Sequence, residues 1–272
     1  MQTIRELNQN LHDREDVELH AAEESSRGSS GDPYTSTAIS GNYIDAVVCS
    51  HEFTDHCHRK TLEEIDPSVP CLATTKAAEL IRSWDHFEQV FDVPPFGKGS
   101  DWRKTSASSL PPWIRIARLV TESDALYYHS AIAIFFKDPN SIHAAGAEAI
   151  IYTPHGIRPE DLGSIPIAVP QIRTLALLHG LHDVSISLFQ KQLNLGAHNA
   201  LKCQIILRSK YWANTHDEIK IGGGILAPFL RRKAYSLQDA LEAQEWDLKA
   251  AGLPADEAHY SELASGETLL LK

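Results

Sequence analysis

The sequence lacks the features that mark several large classes of protein. It contains no apolar run of about 18 residues and no hydrophobic amino-terminal segment, so it predicts neither a transmembrane helix nor a signal peptide. Lysine and arginine total 25 against 36 acidic residues and form no basic block, which argues against nucleic acid or an anionic membrane surface as a partner. We expect a soluble protein whose partner is a small-molecule substrate.

The sequence is also poor in cysteine, with only four residues, at positions 49, 57, 71 and 203. None of them forms a C-x-x-C pair, and their spacing indicates neither a disulfide framework nor a structural zinc knuckle. Cys49 and Cys71 lie in apolar runs, where a cysteine is usually a small core residue. This usage favours a reducing compartment, and we expect a cytoplasmic location.

The first 40 residues have few large apolar side chains and many Glu, Asp, Ser and Gly. Such a segment cannot bury enough surface to offset the entropy of ordering it, so disorder or a short frayed helix is expected at 1–40. The remaining residues, 41–272, are expected to form one domain.

From residue 42 onward, apolar runs of two kinds alternate. "YIDAVVCS" and "SVPCLAT" predict strands, and "TKAAELIRSW" predicts a helix because its apolar residues recur at helical spacing. Four further strands are predicted at "WIRIARLV", "ALYYHSAIAIFF", "AEAIIYT" and "IRTLALLHG". "SLQDALEAQEWDLKAAG" predicts a final helix with Ser236 as its N-cap. The fold class is therefore α/β, with layered sheets and helices.

Histidine is abundant, and its placement indicates a metal site. Five of the fourteen fall where a strand-like run ends or turns: His51, His56, His129, His155 and His216. Loops at the ends of sheet strands can converge on one point, and imidazole with a carboxylate such as Asp55 is a ligand set for zinc, iron or another first-row ion. Each residue alone could equally be a hydrogen-bonded core or surface histidine.

Other candidate ligands carry a weaker signal. His179 and His182 are ligand candidates if "LLHGLHD" is helical, since positions i and i+3 share a face. Cys57 could be a thiolate ligand, but a small packed residue is the more ordinary role for it. Surface or helical roles are assigned to His86, His143, His198 and His259.

The loop "SHEFTDHCH" resembles the H-x-H-x-D-H motif of the metallo-β-lactamase superfamily. His51 matches the first histidine of that motif, Asp55 its aspartate and His56 its last histidine. Phe53 stands where the second histidine belongs. The segments "TKAAELIRSW", "LYYHSAIAIFF", "AIIYTPHGI" and "KYWANTHDE" are similar to an UlaG-like, mostly fungal branch of the superfamily.

This resemblance implies an αββα sandwich and a metal centre built from six residues. The ligands that it implies are His51, Asp55, His56, His129, His155 and His216, with His155 in the place of the family's bridging aspartate. The family's first strands should precede Tyr43, but the polar segment 1–40 does not look like them. The sequence thus predicts a sandwich that either lacks its first strands or encodes them weakly.

The two departures reduce the expected number of ions. Phe53 removes an imidazole and His155 removes the bridging carboxylate, so two dications close together would be poorly neutralised. The resemblance implies one ion, with zinc favoured over iron or manganese, on the side of Asp55.

Two classes of function stay open at this point. The first is a metal-dependent hydrolase of an ester, lactone, thioester or phosphoester bond, in which Asp55 orients or deprotonates the attacking water as the catalytic residue. The second is a degenerate member that binds a metal or serves as a scaffold without catalysis. An iron protein with redox chemistry has less support, because "IGGGI" matches no dinucleotide or phosphate-binding fingerprint.

Overall fold

The computed structural model describes the chain in several stretches and divides it into two compact units. The units are Met1–Asp92 and Val93–Lys272. The described residues are 4, 6–11, 43–105, 109–120, 129–137, 146–187, 191–217, 227–251, 259–264 and 267–271. Most of the segment 1–40, and with it the question of the first strands, lies outside them, as does "IGGGI"; residues 4 and 6–11 are helical.

Between residues 43 and 92, the first unit contains a parallel three-stranded sheet and two helices. The strands are β1 (Val47–Cys49), β2 (Cys71–Ala73) and β3 (Val90–Asp92), in that order, and the helices are α1 (Arg59–Leu62) and α2 (Thr75–Arg82). All three residues of β2 are fully buried because the strand is central in the sheet. Ala77, Ala78 and Ile81 form the buried side of α2, which confirms the helix predicted there.

The second unit is built around a six-stranded sheet. Its strands are β4 (Ile114–Val120), β5 (Ser130–Phe136), β6 (Ala147–Thr153), β7 (Ile172–His179), β10 (Tyr211–Ala213) and β12 (Tyr260–Ser261). Their order across the sheet is β12-β10-β7-β6-β5-β4. The core beside this sheet includes Phe135, Leu177, Leu201 and Trp212, all nearly inaccessible to solvent.

A smaller sheet and two helices complete the second unit. The sheet consists of β8 (Asp183–Ile186), β9 (Lys191–Asn194) and β11 (Leu230–Lys233), in the order β11-β8-β9, and the helices are α3 (Ala197–Leu207) and α4 (Leu237–Ala251). Single 3₁₀ turns lie at Trp102–Lys104, Pro159–Leu162 and Ala227–Phe229. Across the described residues, no helix combines the length and apolar character that crossing a bilayer requires.

Strand direction determines which loops of the second unit lie together. β6, β7 and β10 are parallel, with Thr153 opposite His179 and Leu178 opposite Ala213. β5 is antiparallel to β6, and the hydroxyl of Thr153 donates to the carbonyl of Ser130 at 2.9 Å. The carboxyl ends of β6, β7 and β10 and the start of β5 therefore share one edge of the sheet.

The predicted elements are mostly present, and the structure adds short strands. Asp239 Oδ2 accepts from Ser236 N at 2.7 Å, and Ser236 Oγ accepts from Asp239 N at 3.2 Å, so the predicted cap of α4 is confirmed. The strands β3, β8, β9, β11 and β12 were not predicted.

Candidate metal centre

The loop after β1 contains the "SHEFTDHCH" segment and forms a tight turn. The amides of His56 and Cys57 both donate to the carbonyl oxygen of Phe53, at 2.9 and 2.7 Å. This turn brings Asp55 Oδ2 to 3.6 Å from His56 Nε2. A carboxylate and an imidazole on one turn of chain are thus side by side, as the sequence suggested.

His51 lies against the same turn as a packed ring. It is 1% exposed, and its ring centroid is 4.2 Å from that of His56 and 5.1 Å from that of Phe53. Phe53 itself is 42% exposed. The first unit therefore presents a buried imidazole pair flanked by an accessible carboxylate and an accessible aromatic ring.

Cys57 is a buried thiol. Its pKa is raised well above the ordinary value, first by a hydrogen bond with Cys49 and then by burial. For Cys49, a hydrogen bond with Cys57 lowers the pKa, but a hydrogen bond with Cys71 and burial outweigh it and raise the pKa to about 12. These thiols are protonated at neutral pH, which favours the packed role predicted for Cys57.

In the second unit, His155 and His216 meet at the shared edge of the six-stranded sheet. His155 follows the end of β6 and His216 follows the end of β10, and their ring centroids are 4.9 Å apart. Asn194, the last residue of β9, touches both rings. Its Oδ1 lies 2.9 Å from Nδ1 of His155, and its Nδ2 lies 3.4 Å from Nδ1 of His216.

The backbone around His216 is held in an uncommon conformation. The φ of His216 is 63°, in the left-handed region that most side chains avoid. The next residue, Asp217, accepts from the amides of Leu181 and His182 at 2.8 to 3.0 Å. Asp217 thus ties the loop after β10 to the loop after β7, and this anchoring maintains the strained residue.

Glycine is required where these loops pass one another. A Cβ on Gly196 would lie 2.4 Å from the carbonyl oxygen of Leu181, and one on Gly180 would lie 2.8 Å from that of Thr215. The Asp183 carboxylate also accepts from the Gly196 amide at 2.6 Å. The loop after β7 is therefore enclosed between the loop after β10 and the start of α3.

His129 precedes β5 and so lies at the same edge. Its Nε2 is 3.2 Å from the carbonyl oxygen of Leu193. A carbonyl oxygen only accepts, so this nitrogen carries the proton and Nδ1 is the nitrogen that His129 could offer to a metal.

The helical alternative in which His179 and His182 would share a face was wrong, and the strand predicted at "IRTLALLHG" is β7. His179 is the last residue of β7, and His182 lies in the loop beyond it. Burial lowers the pKa of His179, whose Nδ1 is 2.8 Å from the carbonyl oxygen of Gly180 and whose Nε2 is 2.7 Å from Oδ1 of Asn199. It is a neutral structural residue: Nδ1 donates to the Gly180 carbonyl, and Nε2 accepts from the NH₂ group of Asn199 once that amide is turned over.

Two polar residues of this edge were not anticipated from the sequence. Asn194 and Asp217 both contact the histidine loops, but asparagine and aspartate are ordinary turn residues. The signal that could have found Asp217 is its position directly after His216 in "THDE".

No family model and no curated protein matches the chain. Several solved structures are similar in fold to this chain. A possible metal-dependent hydrolase from Veillonella parvula gives a TM-score of 0.52 at 14% identity, over 84% of this chain and 76% of that one. An isothiocyanate hydrolase from Delia radicum gut bacteria gives 0.50 at 13% identity, over 89% and 87%. The metallo-β-lactamase fold protein YhfI from Bacillus subtilis gives 0.45 at 12% identity, over 80% and 74%.

At these identities the likeness concerns the fold. Over its described residues the chain is an α/β protein with several sheets and few helices, and the predicted α/β fold class is confirmed.

Proposed function

We propose that the protein is a metal-dependent hydrolase that binds one divalent ion. The proposed ligands are Asp55, His56, His155 and His216, each of which offers one ligand atom. The other two histidines that the resemblance implies have supporting roles. His51 packs on His56, and His129 forms a hydrogen bond with the carbonyl oxygen of Leu193.

The donor set fits the ion that the fold family implies. One carboxylate oxygen and three imidazole nitrogens suit zinc, and they also suit iron or manganese. A single carboxylate supplies one negative charge, which is too little to hold two dications close together. The donor chemistry thus supports one ion, with zinc favoured.

One observation carries the proposal, namely the pairing of His155 and His216 on a prepared edge of the sheet. Their rings meet at 4.9 Å and both contact Asn194, and His216 retains a left-handed backbone. Strain of this kind persists at functional sites because the surrounding structure maintains it. A histidine pair needed only for packing would not require it.

The bound ion would polarise the scissile carbonyl or phosphoryl group and lower the pKa of a water molecule. Around that centre, Phe53 offers exposed aromatic surface to an apolar part of the substrate. The substrate class that we propose is a small ester, lactone, thioester or phosphoester. The four cysteines are free and buried, which supports a reducing compartment such as the cytoplasm.

Metal analysis of a loop variant tests this proposal. We expect one zinc ion per chain after purification without chelators, and loss of that ion in His56→Ala. His58→Ala is the matched control, because His58 is on the same loop and its Nδ1 contacts the Thr61 hydroxyl at 2.9 Å. Metal-free native protein, or full occupancy in His56→Ala, would contradict the proposal.

A non-catalytic metal-binding protein is the second candidate function. It is favoured by Phe53 in the place of a motif histidine and by His155 in the place of a carboxylate. Assays of the zinc-loaded protein on nitrophenyl esters, a lactone, a thioester and a phosphodiester separate the two. Turnover lost in His56→Ala supports the hydrolase, and stoichiometric zinc without any turnover supports the alternative.

A further inference from the structure

Asn194 occupies a position from which one side chain controls two of the proposed ligands. It ends β9, and its amide group faces Nδ1 of His155 on one side and Nδ1 of His216 on the other, at 2.9 and 3.4 Å. Both contacts are made at Nδ1. The hydrogen-bond partner at Nδ1 determines whether a neutral imidazole carries its proton on Nδ1 or on Nε2.

A side-chain amide cannot form the same kind of hydrogen bond with a ring nitrogen at its oxygen and a ring nitrogen at its NH₂ group. Its oxygen only accepts, so the ring nitrogen that it faces must carry a hydrogen; its NH₂ group only donates, so the other ring nitrogen must present a lone pair. If the amide oxygen and nitrogen are exchanged, the two histidines exchange their tautomers, but the tautomers are still opposite. One neutral imidazole is therefore protonated on Nδ1 and the other on Nε2.

We propose that Asn194 is a positioning residue that imposes opposite tautomers on His155 and His216. In the orientation observed, His155 is protonated on Nδ1 and offers Nε2 to the ion. His216 is protonated on Nε2 and offers Nδ1. The 3.4 Å contact at this Nδ1 is long for a hydrogen bond, so His216 gives up little when the nitrogen binds an ion instead.

The backbone around Asn194 is fixed well enough for this role. The amide of Leu195 donates to the carbonyl oxygen of His155 at 3.0 Å, and Nε2 of Gln192 donates to the carbonyl oxygen of Asn194 at 2.5 Å. His129 also forms a hydrogen bond with the carbonyl oxygen of Leu193, the residue before Asn194. The end of β9 thus contacts three of the histidines that the sequence marked as candidate ligands.

The inference rests on the proposed metal site for its consequence, but the tautomers are a property of the metal-free protein. Long-range proton–nitrogen NMR of the histidine rings at about pH 8, where imidazole is neutral, reads them directly. We expect one ring with Nδ1–H and the other with Nε2–H. Two rings of the same tautomer in the native protein would overturn the proposal.

Two substitutions with opposite expected effects sharpen the test. In Asn194→Asp both carboxylate oxygens accept, so both rings should become Nδ1–H. In Asn194→Leu both contacts are lost, and the rings should revert to the Nε2–H form that imidazole side chains favour in water. Lys191→Ala, at the other end of β9, is the control and should leave both tautomers unchanged. Native tautomers persisting in Asn194→Leu would refute the role of Asn194.

Zinc affinity is the second readout. We expect Asn194→Leu to bind zinc about 10- to 100-fold more weakly than the native protein, the usual effect of removing a group that orients a metal-binding histidine. Native affinity in that variant would count against the inference. Opposite tautomers in a native protein that binds no zinc would instead refute the proposed function and uphold the effect of Asn194 on the rings.

Discussion

At the scale of single residues, the histidines of this chain differ in environment more than in sequence context. His179 is fully buried, with both ring nitrogens bonded to neighbours within the second unit, whereas His155 and His216 meet each other across one amide. Burial of His179 outweighs the opposing effect of the Asp217 and Asp183 carboxylates and favours the neutral ring. The same residue type therefore serves as a structural element in one place and as a candidate ligand in another.

The lowered pKa of His179 predicts a pH-dependent stability. As the pH falls below about 6.5, the unfolded chain takes up a proton at this residue while the native protein does not. Its contribution is therefore complete above that pH and declines below it, by up to about 1.4 kcal/mol per pH unit. Urea unfolding at a series of pH values measures the slope.

The control for this prediction is His179→Gln, in which that part of the slope should vanish whatever the variant's overall stability. NMR titration of the native protein gives an independent check. A His179 ring that gains its proton near pH 6.5 in the folded state would contradict the assignment.

Phe53 belongs to the same scale, and it predicts substrate preference if the protein is a hydrolase. Covering the exposed part of a phenylalanine ring is worth about 1 kcal/mol, since full burial gives about 1.5 to 3 kcal/mol. Phe53→Ala should then lower kcat/KM roughly fivefold for esters with a large apolar group and leave acetyl esters unchanged.

Leu80→Ala is the matched control, because Leu80 is a similarly exposed apolar residue, on α2 of the same unit. Equal losses for both kinds of ester in Phe53→Ala would show that the ring supports the fold of the loop rather than a substrate.

At the scale of elements, the candidate site depends on the loops that follow the parallel strands β7 and β10. These loops pack against each other with almost no free space between them. The loop after β7 passes between Gly196 and the loop after β10, and Asp217 accepts two of its amides. Loops anchored in this way can hold side chains in a fixed geometry, which is what a metal centre requires.

Gly196→Ala tests this packing. The added Cβ would lie 2.4 Å from the carbonyl oxygen of Leu181 and 2.8 Å from the amide nitrogen of Asp183, so backbone must move. We expect a loss of about 1 to 3 kcal/mol in the free energy of unfolding, measured with denaturant, and weaker zinc binding.

Gly97→Ala is its control, since a Cβ at Gly97 meets nothing within 4 Å among the described residues. That variant should stay within about 0.5 kcal/mol of the native protein. Equal stabilities of the two variants would show that the loop beside Gly196 accommodates the added Cβ without a loss in the free energy of unfolding.

At the scale of the whole molecule, a bound ion should stabilise the folded chain. A ligand that binds only the native state at about 100 times its Kd adds about 2.7 kcal/mol to the free energy of unfolding. For a chain of this size that corresponds to a rise in Tm of about 5 to 10 °C. Thermal unfolding with zinc, and again after a chelator is added, measures the effect.

His56→Ala should show no such rise with zinc, because one proposed ligand is missing. A rise of the same size in that variant would place the ion somewhere else on the molecule. No rise in the native protein would favour a fold without a metal centre.

Much of the fold was predictable because its signals are local. Apolar runs such as "AEAIIYT" and the helical spacing of "TKAAELIRSW" indicate β6 and α2 without any long-range information. The strands that were missed, β3, β8, β9, β11 and β12, are short and at most half-buried, so their sequences carry little apolar pattern. The strand that ends at His179 was predicted, but the helical alternative for "LLHGLHD" was wrong, because a short apolar run does not by itself distinguish a strand from a helix.

The sequence by itself indicated the class of chemistry that we propose. It supplied imidazoles and a carboxylate at the ends of predicted strands. Only the tertiary structure decided that His155 and His216 share one amide and that Asp217 and two glycines fix the loops beside them. The reason is physical: the residue types follow from local pattern, but contacts between distant loops exist only when strand order and register bring the chain ends to one edge of a sheet.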